Sequence, residues 1–296
     1  MKSKILLVLM SLMTAASFAL EFDVDWAMYK GSEEVSVVEV YLMIPRTLFK
    51  FVPDLEQYRS NALIRVALAQ NDTVRDMQEY QISDRTTDTL QIPGKIPEIA
   101  ILQVKPGKYK LIVIVADLNT KQQYRYDKQL EVTGFSGNKL SVSDIQISSQ
   151  IAKTTQENKF SKYFGYDIIP NASTVFNENQ PQIYGFCEIY NLKFEQGTPS
   201  NYKVKYSIVN LNGKEVVTSD WRSKKKPGES AVEINNLKIT DLPGGLYDFK
   251  IEVVDETTQQ TVSGVKRFYV LRSNAQPDAA AMNADLLQLE GKTERN

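Results

Sequence analysis

Ser-x-x-Lys tetrads at 200–203 and 223–226 place a hydroxyl and an amine at the spacing some acylating enzymes use. Those enzymes also carry Lys-Thr-Gly, which this sequence lacks, and the first tetrad opens a strand instead of a helix. There is no histidine among the 296 residues, so neither Ser-His-Asp nor Cys-His chemistry can be assembled. The commonest ligand for zinc and copper is missing with it. The one cysteine, Cys187, sits in "QIYGFCEIY", where a thiol behaves as a small hydrophobe and has no partner for a disulfide. Asp23 and Asp25 share a strand face, but the further oxygens and the Gly turn of a calcium loop do not accompany them, so a solvated face is expected. No catalytic residue, metal or cofactor is expected.

Two stretches could bind rather than react. "KFSKYFGYDIIPNASTVF" (159–176) crowds Phe160, Tyr163, Phe164, Tyr166 and Phe176 around Gly165 and Pro170. Tyr163, Phe164 and Tyr166 could stack on a sugar or anchor a protein; the alternative folds them into a core. "DWRSKKKPGE" (220–229) sets Trp221 and Arg222 beside three lysines and reads as a charged hairpin tip guarding a sheet edge. Asn71-Asp-Thr73 and Asn171-Ala-Ser173 are glycosylation sequons whose use depends on the host.

The elements that would position these groups are strands. Apolar residues alternate with polar ones, rich in Val, Ile, Tyr and Phe and bounded by Gly, Pro, Asn and Asp. "PGKYKLIVIVADLNT" (106–120) returns as "PGGLYDFKIEVVDETT" (243–258). Tyr109, Leu111, Val113 and Val115 match Tyr247, Phe249, Ile251 and Val253, each 138 residues later, and Asp117 and Asp255 end the two strands. "VEVYLMIP" (38–45) likewise matches "CEIYNLKF" (187–194), and "ALIRVALAQNDTVRDM" (62–77) matches "YKVKYSIVNLNGKEVV" (202–217). Three segments recurring in one order predict a single domain plan used twice. Tyr109 and Tyr247 stand where a tyrosine corner returns its hydroxyl to nearby backbone. One difference marks the copies: Lys250 and Glu252 face outward in the second, Ile112 and Ile114 in the first. Exposed aliphatics on a sheet invite association, so Ile112 and Ile114 are expected to meet the second domain, the linker or a partner.

The sequence opens "MKSKILLVLMSLMTAASFALEFDVD", with Lys2 and Lys4, an apolar run and Ser17-Phe18-Ala19. That is the anatomy of a cleaved signal peptide, 1–19, and no later apolar run is long enough for a membrane span. Cleavage would move the net charge from −1 to −3, which argues against a nucleic-acid partner. The expected fold is all-β: two tandem immunoglobulin-like β-sandwiches at 20–134 and 142–272, joined by a linker at 135–141. A polar tail, 273–296, follows, either frayed or forming a short docking helix with Ala281, Asp285 and Leu289 on one face and Met282 and Leu286 beside them.

"FDVDWAMYKGSEEVSVVEVYLMIPRTLFKFV" (22–52) resembles the start of the mature GWxTD-domain proteins, a family of exported bacterial proteins. The shared elements are Phe-Asp-x-Asp, a Gly turn, and Val-Glu-Val-Tyr running to Ile-Pro-Arg. The Gly-Trp-x-Thr-Asp region itself is absent, since Trp26 precedes Ala-Met-Tyr and Trp221 precedes Arg-Ser-Lys. The resemblance implies the N-terminal sandwich portion of that family and a bacterial envelope location, periplasmic or at the cell surface. The expected function is non-enzymatic: an exported accessory protein that binds another envelope or surface protein. A carbohydrate-binding module with a glycan partner, using 160–176, is the alternative.

Overall fold

The structure, a computed structural model, describes residues 21–32, 34–135, 137–162, 164–272 and the strand at 293–295. The signal peptide at 1–19, Tyr163, and the tail residues Met282, Leu286 and Leu289 lie outside the described residues.

The chain folds into β-sheets, with no α-helix among the described residues. The first strands are β1 (Asp23–Lys30), β2 (Ser36–Pro45), β3 (Val52–Asp54), β4 (Gln57–Gln70), β5 (Thr73–Thr86), β6 (Lys95–Val104), β7 (Gly107–Asp117) and β8 (Gln123–Val132). β1, β2 and β6 form one sheet; β5, β4, β7 and β8, with the short β3, form the sheet facing it. After 140 come β9 (Ser141–Val142), β10 (Gln146–Lys153), β11 (Ser161–Lys162), β12 (Tyr166–Pro170), β13 (Val175–Phe176) and β14 (Gln182–Tyr190). They are followed by β15 (Asn201–Asn210), β16 (Glu215–Thr218), β17 (Arg222–Lys225), β18 (Ser230–Lys238), β19 (Gly245–Asp255) and β20 (Thr261–Val270). The last strand is β21 (Thr293–Arg295). β10, β14 and β18 oppose β16, β15, β19 and β20 in a second sandwich, with β12 and β11 extending the first of these sheets.

The copies therefore share one topology, and the three recurring sequence segments fall on equivalent strands: β2 with β14, β4–β5 with β15–β16, and β7 with β19. Period-two alternation is the cause. In β7, Tyr109, Leu111, Val113 and Val115 all point into one apolar core with residues of β1, β2, β4, β6 and β8. In β19, Tyr247, Phe249, Ile251 and Val253 do the same in the other core. Both tyrosine corners close: the Tyr109 hydroxyl donates to the Lys105 carbonyl (2.8 Å) and that of Tyr247 to the Pro243 carbonyl (3.1 Å). The Gly before each Tyr-x strand carries a positive φ, 157° at Gly107 and 149° at Gly245, which a side chain would resist.

The terminating aspartates are structural as well. Asp117 accepts the amide of Lys50 (2.8 Å) and the Thr120 hydroxyl (2.9 Å); Asp255 accepts the amide of Lys193 (2.7 Å) and those of Thr257 and Thr258. The two copies satisfy the equivalent carbonyl differently. Asn119 Nδ2 reaches Lys50 O in the first, and Lys226 Nζ reaches Lys193 O in the second. Lys226 also pairs with Asp255 at 2.6 Å, fully buried. Burial opposes the Asp255 charge, but the bonds from Lys226 and the three amides outweigh it and hold the carboxyl below its usual range. Lys226, which the sequence groups with an exposed charged tip, is thus a core residue.

Candidate functional site

The outer face of β1, β2 and β6 is covered by the second sandwich. Ala27, Tyr29, Tyr41 and Ile99 from the first form a buried cluster with Ile168, Ala172 and Phe186 from the second. The aromatic stretch belongs here. Phe164 stacks on Phe186 with ring centroids 5.4 Å apart, Tyr166 lies 5.9 Å from Phe164, and Tyr29 meets Phe186 at 5.8 Å. Phe164 and Tyr166 are half-buried in this joint and do not form an open stacking platform. The reason is topological: β11 and β12 extend the β10 edge, so Tyr166 on β12 and Phe164 in the turn before it pack in the same cluster as Phe186.

Charges complete the joint. Lys162 Nζ bonds both oxygens of Glu39 at 2.6 Å and lies 5.2 Å from the ring centres of Tyr29 and Phe186. The Tyr41 hydroxyl donates to Glu39 at 2.8 Å, and burial pushes the hydroxyls of Tyr29 and Tyr41 up, with the Glu39 charge adding to the shift. Lys159 pairs with Glu98, and Lys266 with Asp25. Asp25 is therefore buried at 3 % exposure, contrary to the solvated face expected of it, because β1 turns that face toward β20. Burial pushes its carboxyl up, against the pull of Lys266. Asp23 keeps a surface partner, Lys95, at 2.5 Å. Main-chain bonds tie the same edge. Met28 N donates to Asp144 Oδ2 (3.0 Å), Asp144 N donates to Met28 O (3.1 Å), and Lys30 N donates to the Tyr190 hydroxyl (3.0 Å). The partners that cross the joint are not legible from sequence spacing, since they lie 61 to 241 residues apart.

Ile112 and Ile114 are on the other sheet of the first sandwich, on its outward face, and so do not enter this joint. Ile112 stands between Ala67 and Asp127, and Ile114 between Arg65 and Arg125. Both are half-buried. Met77 on β5, opposite Ala67, is 49 % exposed and continues the apolar strip. Ion pairs rim it: Arg65–Glu79 (2.5 Å), Lys110–Asp127 (2.7 Å) and Arg125–Asp127 (2.9 Å). An apolar centre with a polar rim is the anatomy of a protein-binding patch. The equivalent face of the second sandwich is charged, with Lys205–Glu215 (2.8 Å) and Lys250–Glu252 (3.1 Å).

Sheet edges differ in their cover. On β6, Gln78 accepts the Ile101 amide (2.8 Å), Asp76 accepts that of Gln103 (2.7 Å), and the Tyr80 hydroxyl donates to Ile99 O (3.3 Å), so side chains of β5 close that edge. Trp221, 46 % exposed, marks the break between β16 and β17, which both pair with β15. Cys187 is buried, and burial pushes its thiol up, with the charge of Glu233 across the strands adding to this. A cleft of about 440 Å³ between Lys30, Glu34, Lys105 and Phe135 lies at the linker end. Among the described residues no group of three or more potential metal ligands is gathered, and no helix is long and apolar enough to cross a membrane.

The fold is thus a tandem pair of immunoglobulin-like β-sandwiches. No family model and no curated protein sequence matches the chain. Solved structures similar to it include the fibronectin(III)-like modules of Clostridium thermocellum CbhA, at 10 % identity and a TM-score of 0.22, covering 81 % of this chain and 88 % of that one. Red sea bream transglutaminase is similar at 8 % identity and a TM-score of 0.19, covering 83 % of this chain. Bacteroides uniformis β-glucuronidase is similar at 13 % and 0.24, covering 80 %. The chain spans 31 % of the transglutaminase and 26 % of the glucuronidase.

Proposed function

We propose that the protein is a non-enzymatic, exported interaction protein of the bacterial envelope. It acts as an accessory subunit whose two sandwiches form one rigid body and whose outward face around Ile112 and Ile114 docks another envelope protein. The observation that carries this reading is the asymmetry between equivalent faces. One plan is used twice, yet one copy solvates this face with paired charges while the other keeps an aliphatic strip that the second sandwich does not cover. The resemblance of residues 22–52 to GWxTD-domain proteins supports the envelope location and the accessory role. The packing of Phe164 and Tyr166 in the joint favours this reading over the glycan-binding alternative.

In-cell crosslinking of the tagged protein followed by mass spectrometry tests this. A discrete envelope partner is expected with the native chain and lost with I112K/I114E, while circular dichroism and thermal stability stay unchanged. An undiminished crosslink in the variant would refute the assignment of this face.

A further inference from the structure

One edge of β20 is taken along its length by β19, but the opposite edge is covered only in pieces. β13 pairs with it in parallel at Tyr269 and Val270. β21 pairs antiparallel, Gly264 with Arg295, Val265 with Glu294 and Lys266 with Thr293. Among the described residues, Thr261–Ser263 has no strand on that side. This edge demonstrably accepts an antiparallel strand, yet the one it holds is three residues long.

That strand meets its edge at only three paired positions. Its few backbone bonds each replace a bond to water, so little net stabilisation opposes their exchange.

We propose that this edge is a strand-exchange site. The chain's own Thr293–Arg295 occupies it at rest, and an extended segment of a partner protein replaces it by pairing antiparallel along Thr261–Arg267. Main-chain bonds would supply the affinity, and a longer incoming strand makes more of them than three residues can. Side-chain selection is narrow. Lys266 is committed to Asp25 and Arg267 to Asp248 (2.8 Å), which leaves half-buried Val265 as the position that favours an apolar residue opposite it. The site is independent of the Ile112 and Ile114 face and does not rest on it.

The test uses the full-length variant V265C/E294C, whose substitutions sit at directly paired positions, and a labelled synthetic peptide of residues 287–296 as probe. Cys187 is buried and does not compete for oxidation. Oxidation is expected to form the disulfide and to weaken peptide binding about tenfold or more relative to the reduced form. A chain lacking 273–296 is expected to bind the peptide more tightly than the native chain. Failure of the disulfide to form, equal binding by the oxidised and reduced variant, or no binding by the truncated chain would overturn the proposal. None of these results depends on finding the envelope partner.

Discussion

Lys266 shows how much of this protein is decided by single side chains. It is fully buried, donates to Asp25 and to the Trp26 carbonyl at 3.4 Å, and so joins the last long strand of the second sandwich to the first strand of the first. Removing one partner of a buried pair leaves an uncompensated charge, whereas replacing both with apolar groups is often neutral. Lys266→Met is expected to cost about 3–5 kcal/mol in denaturant unfolding, and D25L/K266M to recover most of that loss. A single variant within about 1 kcal/mol of the native chain would show that the pair carries no such role. The sequence offered no sign of this pair. Asp25 and Lys266 each occupy a strand position that alternation alone would leave in water, and only the second sandwich removes that water.

At the scale of elements, alternation explains nearly everything inside each sandwich and fails at special positions. Gly185 on β14 is one. A Cβ there would lie 2.6 Å from the Phe249 ring, so the strand must omit its side chain to let the ring of the facing sheet approach. Gly185→Ala is expected to destabilise by about 1–3 kcal/mol through overpacking. Gly228→Ala, where nothing lies within 4 Å of the added atom, should leave the melting temperature almost unchanged. Equal effects of the two substitutions would show that the Phe249 contact is not what constrains β14. The tyrosine corners, by contrast, are legible in the sequence, because their bonds are local: each hydroxyl returns four residues along the chain.

At the scale of the whole molecule, the joint packs the two sandwiches tightly together. Interfaces between domains are commonly polar and permit motion. This one instead buries Tyr29, Tyr41, Ile168 and Phe186 around the Glu39–Lys162 pair. Phe186→Ala removes the ring that Tyr29 and Phe164 both meet, a change that costs about 3–5 kcal/mol for a buried phenylalanine. Calorimetry of the native chain is expected to show one cooperative transition, and the variant two, as the sandwiches uncouple. A single transition in the variant would place the coupling in the linker or the ion pairs instead. The joint also decides which faces stay uncovered by the second sandwich: the outward face of β4, β7 and β8 is left open, while that of β1, β2 and β6 is covered.

The sequence by itself determined the all-β class, the duplication, the strand faces and the corners. All of these follow from period-two alternation and from contacts a few residues apart. It also identified the aliphatic difference between Ile112/Ile114 and Lys250/Glu252, because the repeat supplied its own comparison. The tertiary structure alone decided what those faces meet. It put Phe164 and Tyr166 into a joint, buried Asp25 and Lys226 with partners, and left Ile112 and Ile114 uncovered by the second sandwich. Side-chain direction is a local property of a strand, whereas burial of an outward face depends on what distant parts of the chain pack against it.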